Sequence, residues 1–154
     1  MSWKVNHKLD WRDDHYTPKW LFDQLGLEFD LDVSAPVGGV PWIPAKKSFS
    51  LEDDGLVQDW YGLVWMNPPF SKPSPWVDKF VAHNNGIALL TISRSYWFEK
   101  LWGNCDAICP TPRTMAFERP DGHKKQIAFQ TMLFAMGKQA VEALNRIPET
   151  RVMK

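Results

Sequence analysis

Some segments of the chain have the apolar pattern of a strand and others have the apolar spacing of a helix, and the two kinds alternate. Residues 62–65 and 87–92 are continuous apolar runs, typical of buried strands. Apolar and polar residues alternate over 29–33, which predicts a third strand. Helical spacing over 20–25 and 76–83 predicts two helices between these strands. This order predicts an α/β fold, with one sheet and helices on both of its faces.

Turn-forming residues set the expected limits of the first helix. Thr17 is the expected N-cap, Pro18 suits the first helical position, and Gly26 is a typical C-terminal stop. Residues 40–50 contain two prolines and no apolar alternation, so we expect an irregular loop there.

The last third of the chain continues the same alternation. Strands are predicted over 106–109 and 131–136, and short helices over 96–102 and 138–147. The 154 residues suffice for a single domain spanning 1–154, in which 1–13 are expected to form a loosely held arm.

Composition narrows the class of protein. Apolar residues make up 44% and charged residues 23%, which is typical of a globular domain. The formal net charge is zero, so contact with nucleic acid would need a local basic patch. Cys105 and Cys109 are too few for a zinc site, so we expect reduced thiols, no metal and a cytoplasmic location. No apolar run approaches the roughly 18 residues of a membrane helix, so no membrane partner is expected.

The sharpest chemical signal is the turn Asn67-Pro68-Pro69-Phe70, which directly follows the apolar run 62–65 and Met66. Prolines cannot donate to a β-ladder, so the strand must end there, at an edge where open α/β sheets bind ligands. The Asn67 side-chain carbonyl and the Pro68 backbone carbonyl can orient an exocyclic amine on a nucleobase and stabilise its growing charge. The Phe70 ring offers a face on which a base can stack. A plain turn with a core phenylalanine is the alternative.

Two acids are candidates for binding a small molecule. Asp32 ends the strand predicted over 29–33 and precedes small residues, which suits a ligand with hydroxyl or ammonium donors. Asp54 lies in an acidic turn near the same edge and can accept a hydrogen bond from an amine. Solvated acids are the alternative for both.

A polar stretch over 110–125 is the candidate nucleic-acid contact. Its basic residues surround an aromatic one, a combination that suits a DNA-facing loop, and a solvated hairpin is the alternative. The residues are Arg113, Phe117, Arg119, Lys124 and Lys125.

In order and spacing, these motifs resemble the phage-type Dam DNA N6-adenine methyltransferase family. The matching segments are His15-Tyr16-Thr17-Pro18 with Trp20-Leu21-Phe22, Phe29-Asp30-Leu31-Asp32 with Ala35, Asp54-Gly55-Leu56 with Asp59-Trp60, and Val64 to Ser71 with Trp76. The resemblance covers most of residues 14–80, and beyond residue 80 it rests on the strand pattern alone.

The resemblance implies a single-domain, Rossmann-like class I methyltransferase that uses S-adenosylmethionine, yields S-adenosylhomocysteine and needs no metal. The implied catalytic residues are Asn67, Pro68, Pro69 and Phe70. The implied cofactor-binding residues are Tyr16, Thr17, Pro18, Asp32, Ala35, Asp54, Leu56 and Asn67. The implied target is an adenine flipped out of duplex DNA.

The implied DNA-binding residues are Ser71, Lys72, Arg94, Arg113, Phe117, Arg119, Lys124 and Lys125. The chain departs from the family at the glycine-rich loop, where it has Ala35-Pro36-Val37-Gly38-Gly39, and it has no clear acid at the end of a second strand. Its length leaves no separate target-recognition domain, so loops 40–50, 71–75 and 110–126 would contact DNA. The expected assembly is a monomer or homodimer, encoded by a phage or prophage in a bacterial host.

Three other functions remain open at this point. The same turn occurs in methyltransferases of RNA adenine and of protein glutamine. A methyltransferase fold can also bind DNA without catalysis. Finally, the nine tryptophans can form a partner surface in a structural protein.

Overall fold

The computed structural model of the chain describes residues 16–113, 115–118, 124–125, 130–148 and 152–153. The expected arm at residues 1–13 lies outside them. The strands are β1 (Phe29–Asp32), β2 (Ala45–Ser48), β3 (Val64–Met66), β4 (Gly86–Thr91), β5 (Ala107–Pro110), β6 (Phe117–Glu118), β7 (Lys124–Lys125) and β8 (Thr131–Met136). The helices are α1 (Lys19–Leu25), α2 (Ser74–His83), α3 (Tyr96–Asn104) and α4 (Lys138–Leu144).

Six of the strands form one mixed sheet in the order β2-β1-β3-β4-β8-β5. β1 pairs in parallel with β2 on one side and with β3 on the other, and β3 pairs in parallel with β4. β8 is antiparallel to both of its neighbours, β4 and β5. β6 and β7 form a separate antiparallel pair.

Helices cover both faces of this sheet, which confirms the predicted α/β fold. On one face, α1 and α4 pack against alternate residues of the central strands, including Trp65, Ile87 and Leu133. On the other face, α2 and α3 pack against the intervening residues, including Met66, Ala88 and Phe134. The residues of β3, β4 and β8 are almost all buried, because each of these strands is covered on both sides.

The direction of strand addition reverses at β1. The chain passes from β1 to β2 on one side and then returns to β3 on the other side. Loops that leave the carboxyl ends of β1 and β3 therefore diverge and leave a crevice, which is where open α/β sheets bind ligands.

A bulge interrupts the pairing of β1 with β3. The backbone amides of Asp30 and Leu31 both donate to the Leu63 carbonyl, at 2.8 and 3.4 Å. The Asp30 carboxylate in turn accepts a 2.7 Å hydrogen bond from the Leu63 amide. Gly62 lies next to the Asp30 carboxylate and has a φ of 65°. A Cβ atom at this position would lie 2.1 Å from Asp30 Oδ2, so a larger residue would clash. Phe29 and Leu31 consequently pack into opposite faces of the sheet, so the bulge sets the direction of the residues that follow.

Asp30→Ala is expected to lower the free energy of unfolding by about 1–3 kcal/mol, because the Leu63 amide loses its acceptor. Urea denaturation measures this change. Asp23→Ala is the matched control, since Asp23 forms an exposed pair with Lys19 and its loss is expected to change stability by less than about 1 kcal/mol. Equal losses in the two variants would contradict the structural role of Asp30.

Two predictions about local structure are wrong. Thr17 does not cap α1, because the helix begins at Lys19 with Pro18 at the N-cap position, whereas the stop at Gly26 is confirmed by its φ of 64°. Residues 40–50 are not wholly irregular, because β2 lies within them. β2 is an edge strand with three exposed residues and no apolar alternation, and its main-chain bonds to β1 alone define it.

The remaining helix and strand limits lie within a few residues of the predicted ones. α3 runs two residues further than predicted, to Asn104, and α4 ends at Leu144 rather than at residue 147. In the described part of the chain, every helix is too short or too polar to cross a membrane.

Candidate active site

The Asn67 side chain is held in place at the carboxyl end of β3. Asp32 of β1 pairs with Trp65, so Asn67 lies two residues beyond that pair. Asn67 Nδ2 donates a 3.3 Å hydrogen bond to the hydroxyl of Thr17, which is fully buried just before α1. Trp42 Nε1 donates a 2.8 Å bond to the Thr17 carbonyl and so fixes Thr17 itself. These bonds set the direction in which the Asn67 amide faces.

The two prolines and the ring that follow complete a stiff turn. Pro68 and Pro69 are buried, and Phe70 is half-buried. The Pro69 carbonyl accepts a 3.2 Å bond from the Lys72 amide, which closes the turn. The four residues predicted to be catalytic, 67–70, therefore lie together on one rigid turn after β3.

Thr17→Val is expected to lower kcat about fivefold, because losing one neutral hydrogen bond of about 1 kcal/mol loosens the Asn67 amide. Steady-state kinetics measure this effect. The matched control is Thr111→Val, which removes a buried hydroxyl bonded to the Thr131 carbonyl at 3.1 Å and separated from β3 by β4 and β8 in the sheet. The positioning role of Thr17 is contradicted if both valine variants retain the wild-type kcat.

Asp32 is a buried acid that forms no salt bridge with any of the described residues. The residue is 3% exposed, and a 3.4 Å bond from the Ser34 amide reaches its carboxylate. Burial raises the pKa of Asp32 to about 7, and the Ser34 bond offsets this only in part. The Ser34 hydroxyl is also buried and finds no hydrogen-bond partner among the described residues. This pair of polar groups suits a ligand that carries hydroxyl or ammonium donors.

The chain after β1 is fixed to β2. The Phe49 amide donates to the Asp32 carbonyl at 2.8 Å, and the Ala35 amide donates to the Phe49 carbonyl at 2.9 Å. Ala35 is 3% exposed. These two bonds fix the backbone of residues 32–35 beside β2.

The turn that contains Asp54 packs directly against this segment. A Cβ atom on Gly55 would lie 2.0 Å from the Val33 carbonyl oxygen, so only glycine allows this approach. Asp54 is buried in the left-handed conformation with a φ of 57°, and its carboxylate accepts a 3.2 Å bond from the Leu56 amide. The structure therefore brings Asp54 and Leu56 close to the chain that follows Asp32.

Sequence reasoning assigned no site role to three supporting residues, Lys79, Trp60 and Trp42. Lys79 of α2 donates a 2.9 Å bond to the Leu56 carbonyl, and its ammonium lies 5.3 Å from the centre of the Trp60 ring. Trp60 Nε1 donates to the Gly55 carbonyl at 2.8 Å. Partial burial lowers the pKa of Lys79, and the carboxylates of Asp59 and Asp54 act in the opposite direction. Lys79 and Trp42 belong to no motif, and Trp60 entered only through the family resemblance, because a side chain that bonds to a main-chain carbonyl gives no local pattern that reveals its partner.

The other predicted cofactor residues border the same region. Tyr16 meets the Trp42 ring edge-on at 6.4 Å, Pro18 is buried, and Leu56 is half-buried. Within the described ranges, no cluster of three or more His, Cys, Asp or Glu side chains is placed to hold a metal ion.

The predicted DNA-binding residues differ in exposure. Lys72, Arg94 and Arg113 are exposed, and Ser71 is half-buried. Arg119 and the side chains of Lys124 and Lys125 lie outside the described part of the structure.

Phe117 contradicts the prediction made for it. Its side chain is 1% exposed and packs into the same core cluster as Met115 and Trp65, so no base can stack on it. Its backbone pairs with Lys125 in the two-stranded ribbon formed by β6 and β7.

A sheet covered on both faces, with an acid at the end of β1 and an Asn-Pro-Pro-Phe turn after β3, defines a Rossmann-like methyltransferase fold. Comparison with known proteins agrees with this class. The family described as DNA N-6-adenine-methyltransferase (Dam) matches residues 4–141. The DNA N-6-adenine-methyltransferase of Haemophilus phage HP1 (strain HP1c1) is 31% identical over 119 residues, which cover 70% of this chain and 67% of the phage protein.

The chain belongs to the DNA N-6-adenine-methyltransferase (Dam) family. No solved structure matches it.

Proposed function

We propose that the protein transfers a methyl group from S-adenosylmethionine to the N6 amine of adenine in duplex DNA. The observation that carries this proposal is the position of the Asn67 turn. Thr17 holds it at the end of β3, and β1, whose final residue is the buried Asp32, is the neighbouring strand. Family membership supports adenine in DNA as the acceptor.

The residues around Asp32 suit the donor. The buried Asp32 carboxylate and the Ser34 hydroxyl match ammonium or ribose hydroxyl groups, and Ala35 follows them with a small side chain. We assign Asp54, with Leu56, to the adenine ring of the donor, and Tyr16, Thr17 and Pro18 to the border of the same pocket. When bound, the donor supplies a methyl group on a sulfonium, which is already activated for transfer.

The Asn67 turn suits the acceptor. The lone pair of the adenine N6 amine is delocalised into the ring, so the amine needs acceptors that favour the charge it gains during attack. The Asn67 side-chain carbonyl and the Pro68 backbone carbonyl supply them, and Pro69 keeps the turn rigid. The half-buried Phe70 ring stacks on the flipped base.

The exposed cations around this edge suit the DNA backbone. We assign phosphate contacts to Lys72, Arg94 and Arg113, which are exposed, and to Arg119, Lys124 and Lys125, with Ser71 beside the turn. The phage source of the relative supports a phage- or prophage-encoded protein that acts in the cytoplasm of a bacterial host.

Transfer of radiolabelled methyl from S-adenosylmethionine to unmethylated duplex DNA tests this function, with RNA and total cell protein as parallel acceptors. Label recovered as N6-methyladenine in DNA is the expected result. Label in RNA or protein would keep the chemistry and overturn the substrate. Donor binding without any label would instead point to a DNA-binding protein on a methyltransferase fold.

A further inference from the structure

The segment that follows β4 presents a row of exposed side chains. Ile92 is 55% exposed, Arg94 is exposed and Tyr96 is 91% exposed, whereas the residues between them are half-buried. The hydroxyls of Ser93 and Ser95 are 2.7 Å apart, and the Ser95 amide donates to Ser93 Oγ at 3.3 Å. The two serines thus bond to each other, and the alternate residues face the solvent. We call Ile92, Arg94 and Tyr96 the β4 row.

The β4 row lies at the same edge of the sheet as the Asn67 turn. β3 and β4 are parallel neighbours in which Met66 pairs with Ala88, so the chain leaves both strands in the same direction. The Ile92 amide donates to the Gln130 carbonyl at 3.1 Å, which anchors the start of the row to the chain that enters β8. Exposed Lys72, in the loop after β3, adds a second cation at this edge.

The composition of the row fits one kind of partner. A cation between an aliphatic residue and an aromatic one matches a nucleic-acid strand, in which every nucleotide carries a charged phosphate and a planar base. An apolar protein surface would leave the Arg94 charge without a counterion, whereas a phosphate neutralises it.

We propose that the β4 row contacts the duplex next to the flipped adenine, with Arg94 on a backbone phosphate and the Tyr96 ring against a neighbouring base. This inference rests on the proposed function, and it adds Ile92 and Tyr96 to the DNA surface. Tyr96 is a positioning residue for the duplex, because it does not touch the reacting amine.

The test compares two tyrosines. Tyr96→Ala is expected to weaken duplex binding about 5- to 100-fold, the range found when a base loses an aromatic stacking partner. Tyr61→Ala is the matched control, because Tyr61 is 52% exposed and precedes β3, at the opposite end of that strand. Fluorescence anisotropy with S-adenosylhomocysteine present measures duplex affinity, and calorimetry measures donor affinity, which is expected to remain unchanged in both variants.

Two further variants separate the contributions within the row. Tyr96→Phe keeps the ring and is expected to bind within about twofold of the wild type. Arg94→Gln is expected to reduce the slope of log affinity against log salt by about one.

Three results would overturn the inference. These are wild-type duplex affinity in Tyr96→Ala, an equal loss in Tyr61→Ala, or a change of oligomeric state in Tyr96→Ala with duplex affinity intact. The wild-type methyl-transfer assay separates this failure from failure of the proposed function. If the wild-type protein methylates DNA and Tyr96→Ala binds the duplex normally, the role of the β4 row is refuted and the proposed function stands.

Discussion

Asn67→Ala is expected to lower kcat by about 10²–10³, the loss typical of removing one preorganised group that stabilises charge in the transition state. The amide oxygen of Asn67 is one of two acceptors proposed for the target amine, and the Pro68 carbonyl remains. The loss should therefore appear in kcat with little change in donor affinity, because the acceptor acts on the charge that develops during attack.

Single-turnover methyl transfer measures this effect directly. Asn104→Ala is the matched control, since Asn104 ends α3 and its exposed side chain donates a 2.7 Å bond to the Lys100 carbonyl. Circular dichroism checks that both variants keep the fold. A folded Asn67→Ala protein that transfers methyl at the wild-type rate would remove Asn67 from the reaction.

Asp32→Asn is expected to stabilise the protein without ligand and to weaken its binding of the donor. Burial raises the pKa of Asp32 to about 7, above its ordinary value of 3.8. The folded state therefore holds a proton that the unfolded state has lost, and the free energy of unfolding falls as the pH rises from about 4 to about 7. Above pH 7 the free energy of unfolding is lower by up to about 4 kcal/mol than it is below pH 4. Asp32→Asn has no ionisable group at this position, so its stability does not fall in this way.

Donor affinity is expected to depend on pH in the opposite direction. The ionised carboxylate accepts hydrogen bonds from hydroxyl or ammonium donors, so wild-type affinity should rise as the pH increases through 7 and then level off. In Asp32→Asn the affinity should be lower and nearly independent of pH over this range.

Calorimetric titration from pH 5.5 to 8, together with urea denaturation at the same values, tests both expectations. Asp78→Asn is the control, because Asp78 is an exposed acid on α2 that pairs with Lys100 at 2.8 Å. If Asp32→Asn matches the wild type in stability and in donor affinity at every pH, burial does not destabilise the ionised Asp32 carboxylate and Asp32 is not part of the donor pocket.

Sequence reasoning was most successful where local chemistry and burial agree. The turn at Asn67 follows from two prolines after an apolar run, and the stop at Gly26 follows from its left-handed conformation. The continuous apolar runs of β3, β4 and β8 predict buried strands, and each of these strands is covered on both sides.

Long-range pairing explains what sequence reasoning missed. β2 exists because β1 offers main-chain partners, and residues 45–48 do not show this in their own pattern. Alternation alone places Phe29 and Leu31 on one face of the sheet, yet the bulge at Leu63 separates them. Phe117 is surrounded by basic residues in the sequence and is nevertheless buried, because its neighbours in space come from the core.

The placement of β8 also affects how the protein is made. β8 lies between β4 and β5, although both precede it in the chain. On the ribosome, β4 and β5 must wait for residues 131–136 to emerge before they gain this shared partner, so the sheet closes late in synthesis. A nascent chain that stalls earlier exposes the open, apolar side of β4 to pairing with other chains. Because β4 leads directly into the β4 row, the start of that row is also fixed only when β8 pairs with β4.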